Sequence, residues 1–179
     1  MLTPLGNDQI RLGAITDMSI FSKKTRYAIH GLAYVAEHSQ GSAVPAEEIL
    51  AYLEAYAGGL ALSSGYILKI LQEVSKAGLL HPVYGPGGGY VLARGAETIH
   101  LVEVVEALEG PVVSGCCLLS VGNCAMEGTC GVRDVLSEAE GAFRAFLEEQ
   151  SLQSIADRMT FPKATQALAE ARRGKARRV

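Results

Sequence analysis

Five of the six residues in Tyr84-Gly85-Pro86-Gly87-Gly88-Gly89 are glycine or proline, and two short apolar runs, Leu79–Val83 and Tyr90–Ala93, flank them. Glycine costs a helix or strand backbone entropy, and proline removes a backbone donor, so no regular element continues through this stretch. Between strand-like runs it reads as a β-hairpin with a long, bare tip. A nucleotide-phosphate loop would need Lys-Ser/Thr and then a helix after the glycines. Here Tyr90-Val91-Leu92 returns as a strand, which rejects that reading.

Three helical patterns precede the hairpin. From Ser22, Ala28, Leu32, Val35 and Ala36 recur at helical spacing, with Lys23, Arg26 and His30 on another face, and the helix should stop near Ser39–Gly41. Val44-Pro45-Ala46-Glu47-Glu48 looks like a second helix start, with proline in the first turn and acids at the positive dipole end. Ile49, Leu50, Leu53 and Tyr56 form its apolar face, and Gly58-Gly59 end it. A third helix, with Ser63 or Ser64 as N-cap, buries Ile67, Ile70, Leu71 and Val74 and stops at Gly78. Three helices followed by such a hairpin predict a mainly α fold with a small β-hairpin wing, a winged helix-turn-helix over residues 18–95. In that arrangement Ser63, Ser64, Tyr66 and Lys69 sit near the end of the third helix that meets bases and phosphates. Lys23, Lys24 and Arg26 add positive charge at the start of the first helix, and Gly85 and Gly87 let the wing backbone approach a sugar–phosphate surface.

The net charge of −3 does not contradict a nucleic-acid partner once its distribution is read. Residues 18–95 carry six Lys/Arg against five acids, residues 96–161 three against eleven, and residues 162–179 six against one. The acidity lies after the hairpin, and phosphate binding needs only a local basic surface. Residues 1–17 form an extension without sustained periodicity, and the basic tail 161–179 is expected to be disordered. No apolar run approaches the roughly 18 residues of a membrane span, and the start lacks a signal-peptide pattern, so the chain is read as cytoplasmic with no membrane partner.

The segment 96–160 holds three further features. Leu101, Val104, Val105 and Leu108 define a short helix closed by Gly110-Pro111. A long helix from about Val132 to Gln150 carries the stripe Val132, Val135, Leu136, Ala139, Phe143, Phe146 and Leu147, and Ser151 caps a short final helix with Leu152, Ile155 and Ala156. A one-sided helix of roughly 25–30 Å is most simply covered by its copy in a homodimer.

Between the two longer patterns lie all four cysteines, Cys116, Cys117, Cys124 and Cys130. Thiols clustered this way point to metal or redox chemistry rather than a disulfide framework. Structural zinc sites favour paired C-x2–4-C knuckles. Here the spacing is Cys117-x6-Cys124-x5-Cys130, or Cys116-x7-Cys124-x5-Cys130, with Gly115, Gly122, Gly128 and Gly131 interspersed. Widely spaced thiolates on a glycine-rich loop suit an iron–sulfur cluster better than zinc, with thiol-only sensing a third reading. The histidines His30, His38, His81 and His100 are spread without a catalytic partner set, so the chain does not read as an enzyme.

From Met18 to Arg158 the sequence resembles the IscR/NsrR-type (Rrf-two) family of iron–sulfur winged-helix transcription regulators. The resemblance rests on Ser22-Lys23-Lys24-Thr25-Arg26-Tyr27-Ala28, Gly65-Tyr66-Ile67-Leu68-Lys69-Ile70-Leu71, Ala77-Gly78-Leu79-Leu80, the wing Gly85-Pro86-Gly87-Gly88-Gly89-Tyr90-Val91-Leu92 and the cysteine spacing. It implies a homodimer that binds a near-palindromic double-stranded DNA operator, as a repressor, with affinity set by a [2Fe–2S] or [4Fe–4S] cluster. It places Cys124 and Cys130 at the second and third ligand positions and Cys117 or Cys116 at the first. It also places Tyr84, Gly85 and Pro86 at the wing tip.

Several positions depart from the family pattern. Arg133 stands where biogenesis regulators carry a histidine ligand, and Arg26 where nitric-oxide sensors carry a carboxylate ligand. His30, one turn further along, is a candidate fourth ligand beside Glu127, Asp134 and the spare cysteine. Leu68 replaces an acid of the recognition helix and Tyr84 an arginine of the wing, so a different operator is expected. Ala51–Ala61 lengthens the connection between the second and third helices.

Overall fold

A computed structural model of the chain describes residues 20–39, 42–58, 61–112 and 131–162. The extension 1–17, the four cysteines, Glu127 and most of the basic tail lie outside the described residues. Helix α1 spans Lys23–His38, α2 Ala46–Tyr56 and α3 Ser64–Lys76; strands β1 (Leu80–Val83) and β2 (Gly89–Leu92) form the wing. After a single 3-10 turn at Ala96–Thr98 come α4 (Leu101–Glu109), α5 (Gly131–Glu149) and α6 (Leu152–Ala156). Among the described residues this is a mostly helical fold with one antiparallel hairpin, as the sequence pattern predicts.

The helix ends follow local chemistry. Ser22 caps α1 by accepting a hydrogen bond from the Thr25 N–H at 3.2 Å. Pro45 precedes α2, whose first turn carries Glu47 and Glu48. At the end of α3 Gly78 has φ +76°, and the Leu79 N–H reaches the Val74 carbonyl at 3.0 Å. That wrap satisfies two helix-end carbonyls and turns the chain so that Leu79 enters the core and β1 begins.

One buried cluster joins Ala28, Leu32 and Val35 of α1, Ile49 and Leu53 of α2, and Ile67, Ile70, Leu71 and Val74 of α3. Ile99, Val104, Leu108, Leu152, Ala156 and Phe161 belong to the same cluster, so the elements after the wing close over the first helix. A β-bridge joins His100 to Ser151, with the Leu101 N–H on the Gln150 carbonyl at 2.9 Å and the Leu152 N–H on the Ile99 carbonyl at 2.7 Å.

The wing pairs Leu80 with Leu92 and Val83 with Gly89. It is anchored by a second bridge that the local pattern does not reveal. Tyr90 N–H donates to the Val44 carbonyl at 2.8 Å and Val44 N–H to the Tyr90 carbonyl at 2.9 Å. Gly89 permits this approach: its φ is +156°, and a Cβ there would run into the Val44 carbonyl.

Candidate nucleic-acid interface

The end of α3 that follows the α2–α3 turn is open to solvent. Ser63, Ser64 and Lys69 are exposed, and Tyr66 in the first helical turn is 40% exposed. The opposite face carries the four buried aliphatics, so the stripe predicted from the sequence holds residue by residue. Leu68 is also exposed. At the wing, Tyr84 is 88% exposed, and Gly85, Pro86 and Gly87 are exposed beside it. The exposed start of α3 and the wing are thus joined through the packing of α3 against β1.

The basic start of α1 is more mixed than its sequence suggests. Lys23 is exposed, whereas Lys24 Nζ lies 3.0 Å from Glu73 Oε2 and ties α1 to α3. Arg26 is half-buried. His30, expected on a polar, solvated face with Lys23 and Arg26, is instead packed: its ring stacks on Tyr56 at 3.6 Å and its Nδ1 lies 3.0 Å from the Tyr52 hydroxyl. Burial, and secondarily the Arg26 charge, push its pKa down to about 4, so it is neutral at pH 7. The correction has a simple origin. An imidazole is apolar enough in its neutral form to join a ring stack, and polarity alone misassigns its face.

Sequence periodicity also leaves unannounced a run of rings through the helix-turn-helix. Tyr34 stacks on Tyr52 at 4.6 Å and on His38 at 4.0 Å, and Phe161 packs edge-on against Tyr34 and His38. The Tyr34 hydroxyl donates to Glu48 Oε1 at 2.9 Å, which accounts for a buried carboxylate in the first turn of α2. A signal for it exists: Tyr27, His30, Tyr34 and His38 fall on one helical face, as do Tyr52 and Tyr56.

The cysteine stretch lies outside the described residues, but both its roots are described. Glu106 of α4 accepts from the Val112 N–H at 3.2 Å and from the Arg144 guanidinium of α5. The Arg144 hydrogen bond, followed by that of Val112, holds the Glu106 carboxyl below the usual carboxylate range. One turn on, Glu109 Oε1 accepts from the Ser22 N–H at 2.8 Å. Burial alone would raise Glu109, but hydrogen bonds from Thr25 and Ser22 lower it overall. The segment leading into the thiols is therefore joined to α5 on one side and to the start of α1 on the other. Among the described residues, no group of three or more His, Cys, Asp or Glu converges as a metal site.

Helix α5 divides its predicted stripe. Leu147 is fully buried and Phe143 half-buried against Phe21, at 5.9 Å between rings, whereas Val132, Val135 and Phe146 are 51%, 66% and 52% exposed. Among the described residues, no helix is long and apolar enough to cross a membrane.

This architecture has known counterparts. The B. subtilis structure described as CymR, the global cysteine regulator, superposes with a TM-score of 0.64 at 21% identity, covering 80% of this chain and all of that one. T. potens IscR gives 0.58 at 21% identity, covering 82% and 96%. These likenesses establish the winged-helix fold. By sequence, the chain is 37% identical over 91 residues to the HTH-type transcriptional regulator IscR of Xenorhabdus nematophila, covering 51% of each protein. The chain thus spans about half the length of the IscR relatives it matches. It is 29% identical over 135 residues to protein aau3 of Rhizobium meliloti, covering 75% of this chain and 82% of that protein. Residues 21–158, most of the chain, match the family described as Rrf2, iron-dependent transcriptional regulator, so the chain belongs to the Rrf2 family of DNA-binding transcriptional regulators, which are not enzymes.

Proposed function

We propose that the chain acts as a homodimer on a double-stranded DNA operator, as a repressor whose affinity is set by an iron–sulfur cluster on Cys117 (or Cys116), Cys124 and Cys130. The observation that carries the reading is the confinement of all four thiols to residues 116–130, between a helix tied to α1 and the helix bearing the uncovered apolar stripe. Thiolates spaced this way fit iron, and the bound cluster would supply the chemistry that responds to nitric oxide, oxygen or redox state, or iron–sulfur supply. His30 is the weakest member of the ligand set, since its Nδ1 and one ring face are already engaged within the helix-turn-helix.

In DNA binding, Ser63, Ser64, Tyr66 and Lys69 would meet the major groove, Lys23 the phosphates, and Tyr84 to Gly87 the adjacent groove. Recognition helices of a dimer must match half-sites about 34 Å apart. Thiol ligation that orders the 116–130 stretch would set that spacing through α4 and α5. The exposed Val132, Val135 and Phe146 supply the surface for the second copy.

A second reading keeps the same regulator without a cluster, its thiols sensing oxidants directly or holding zinc. The adjacency of Cys116 and Cys117 favours it. Anaerobic purification with iron, sulfide, zinc and the absorption spectrum measured on one sample separates the two. Matched iron and sulfide, lost in a Cys124→Ala variant that remains a folded dimer, is the expected result. Colourless protein that cannot be reconstituted, with DNA binding that answers to thiol oxidants but not to metal removal, would transfer the function to the second reading.

A further inference from the structure

Tyr66 occupies the first turn of the recognition helix and is 40% exposed, yet its ring is not a free rotor on the surface. It meets Tyr27 of α1 edge-on, at 6.4 Å between centroids and 83° between planes. Tyr27 meets Tyr56 of α2 in the same manner, at 6.4 Å and 89°. Tyr56 is stacked on His30 at 3.6 Å, and the His30 Nδ1 is 3.0 Å from the hydroxyl of the buried Tyr52. Each of the three helices of the helix-turn-helix thus contributes one tyrosine to a surface-facing chain, and the chain ends in the core.

The chemistry of the anchor is self-consistent. Burial raises the Tyr52 pKa and lowers that of His30, so a neutral phenol meets a neutral imidazole and a hydrogen bond joins the Tyr52 hydroxyl to His30 Nδ1. T-shaped and stacked ring pairs have preferred geometries, so each fixes the orientation of the next. Tyr56 is itself 41% exposed, so its ring links the half-buried His30 contact to the surface. It also lies at the last position of α2, just before the connection to α3.

We propose that Tyr56 and His30 are positioning residues for DNA recognition: through Tyr27 they hold the Tyr66 ring in one orientation at the start of α3, ready for the operator. This rests on the reading of Tyr66 as a DNA contact. An aromatic side chain ordered before binding loses less freedom on binding, so the gain falls on the selected sequence and not on phosphate attraction in general.

The test uses the full chain and a duplex obtained by selection from a random DNA pool, with the unselected pool as the non-specific probe. Affinity is read by fluorescence anisotropy for Tyr56→Ala and Tyr56→Phe, each in the native and the Tyr66→Ala background. Tyr56→Ala is expected to weaken selected-duplex binding by about three- to tenfold in the native background, the size of one to two aromatic contacts. It should leave unselected DNA and the salt slope unchanged, because no charge is removed. Tyr56→Phe, which keeps the ring, should restore affinity, and in the Tyr66→Ala background Tyr56→Ala should cost less than about twofold. His30→Ala should follow the same pattern. Equal losses in both backgrounds, or a Tyr56→Phe as damaging as Tyr56→Ala, would overturn the positioning role while leaving Tyr66 as a contact. If Tyr66→Ala alone leaves the selected-duplex affinity intact, the contact itself fails, and the positioning role with it.

Discussion

Replacing Gly89 with alanine tests how the wing is held to the rest of the domain. The added Cβ meets the Val44 carbonyl, and φ of +156° is a backbone conformation that side chains rarely adopt. The variant has two ways out. It can keep the bridge and accept backbone strain of about 1–3 kcal/mol together with the overlap. Alternatively, β2 can withdraw from Val44 and forfeit the two Val44–Tyr90 hydrogen bonds, about 0.5–1.5 kcal/mol each. The second route sets the ceiling, so the loss should be about 1–3 kcal/mol. For a domain in this size range that is a fall in Tm of roughly 3–10 °C. Because withdrawal moves the hairpin, operator affinity measured well below Tm should fall further than the lost stability explains, while α3 and the core remain intact by circular dichroism. A Gly89→Ala protein with Tm within about 1 °C of the parent and undiminished DNA affinity would refute the anchoring argument.

Three further outcomes follow from the same contacts. His30 is held near pKa 4 in the fold against an ordinary 6.5, so between these the unfolded chain binds the proton more readily. Its contribution is full above about pH 6.5 and is lost as pH falls toward 4; the shift would be worth about 3 kcal/mol unscreened, and roughly 1–2 after allowance for partial exposure, and His30→Phe should flatten the denaturation profile in that window. Glu73→Gln should release Lys24 for phosphate contact, raising non-specific DNA affinity and steepening its salt slope by about one charge; an unchanged slope would show that Lys24 faces away from DNA. Val135→Lys combined with Phe146→Glu should convert the proposed dimer to a folded monomer by light scattering and cost operator affinity more than about tenfold; a persistent dimer would place the interface elsewhere.

What is legible in the sequence is local and periodic. Ile67, Ile70, Leu71 and Val74 announce the buried face of α3 by spacing alone, Gly78 its end, and Gly85 to Gly89 the turn of the wing. What stays hidden depends on partners distant along the chain. Lys24 and Glu73 stand 49 residues apart, and Val44 and Tyr90 pair through backbone atoms that leave no side-chain signature. Phe161 returns to cover Tyr34 and His38 from beyond α6. His30 shows the limit from another side: polarity assigns its face to solvent, whereas burial against Tyr52 and Tyr56, and secondarily the Arg26 charge, decide its state. The stripe on α5 is apolar as its spacing predicts, yet of Val132, Val135, Phe146 and Leu147 only Leu147 is buried within the chain. Periodicity predicts a covered face without saying what covers it.

The two ends of α1 differ in how deeply their contacts are buried, and this bears on how a signal could travel. At its C-terminal end, Tyr34 and His38 are buried under Tyr52 and Phe161, a set of ring contacts and removed area that only substantial unfolding undoes. At its N-terminal end the half-buried Phe21 and Tyr27 make ring contacts, and they are joined by polar restraints partly open to water. Glu109 accepts from the Ser22 N–H and Lys24 pairs with Glu73, contacts worth about 1 kcal/mol each. This end carries Lys23 and Lys24 and is bonded directly to the last turn of α4, two residues before Pro111 opens the path to the thiols. Glu106, three residues earlier on α4, joins the same root to Arg144 of α5. In the proposed mechanism, a change in the order of residues 116–130 therefore acts first on the N-terminal end of α1, through Glu109, and on α5, through Glu106. It leaves the more deeply buried end as the fixed pivot, and a small rotation about that pivot moves the basic start of α1, and α3 with it, relative to the second copy.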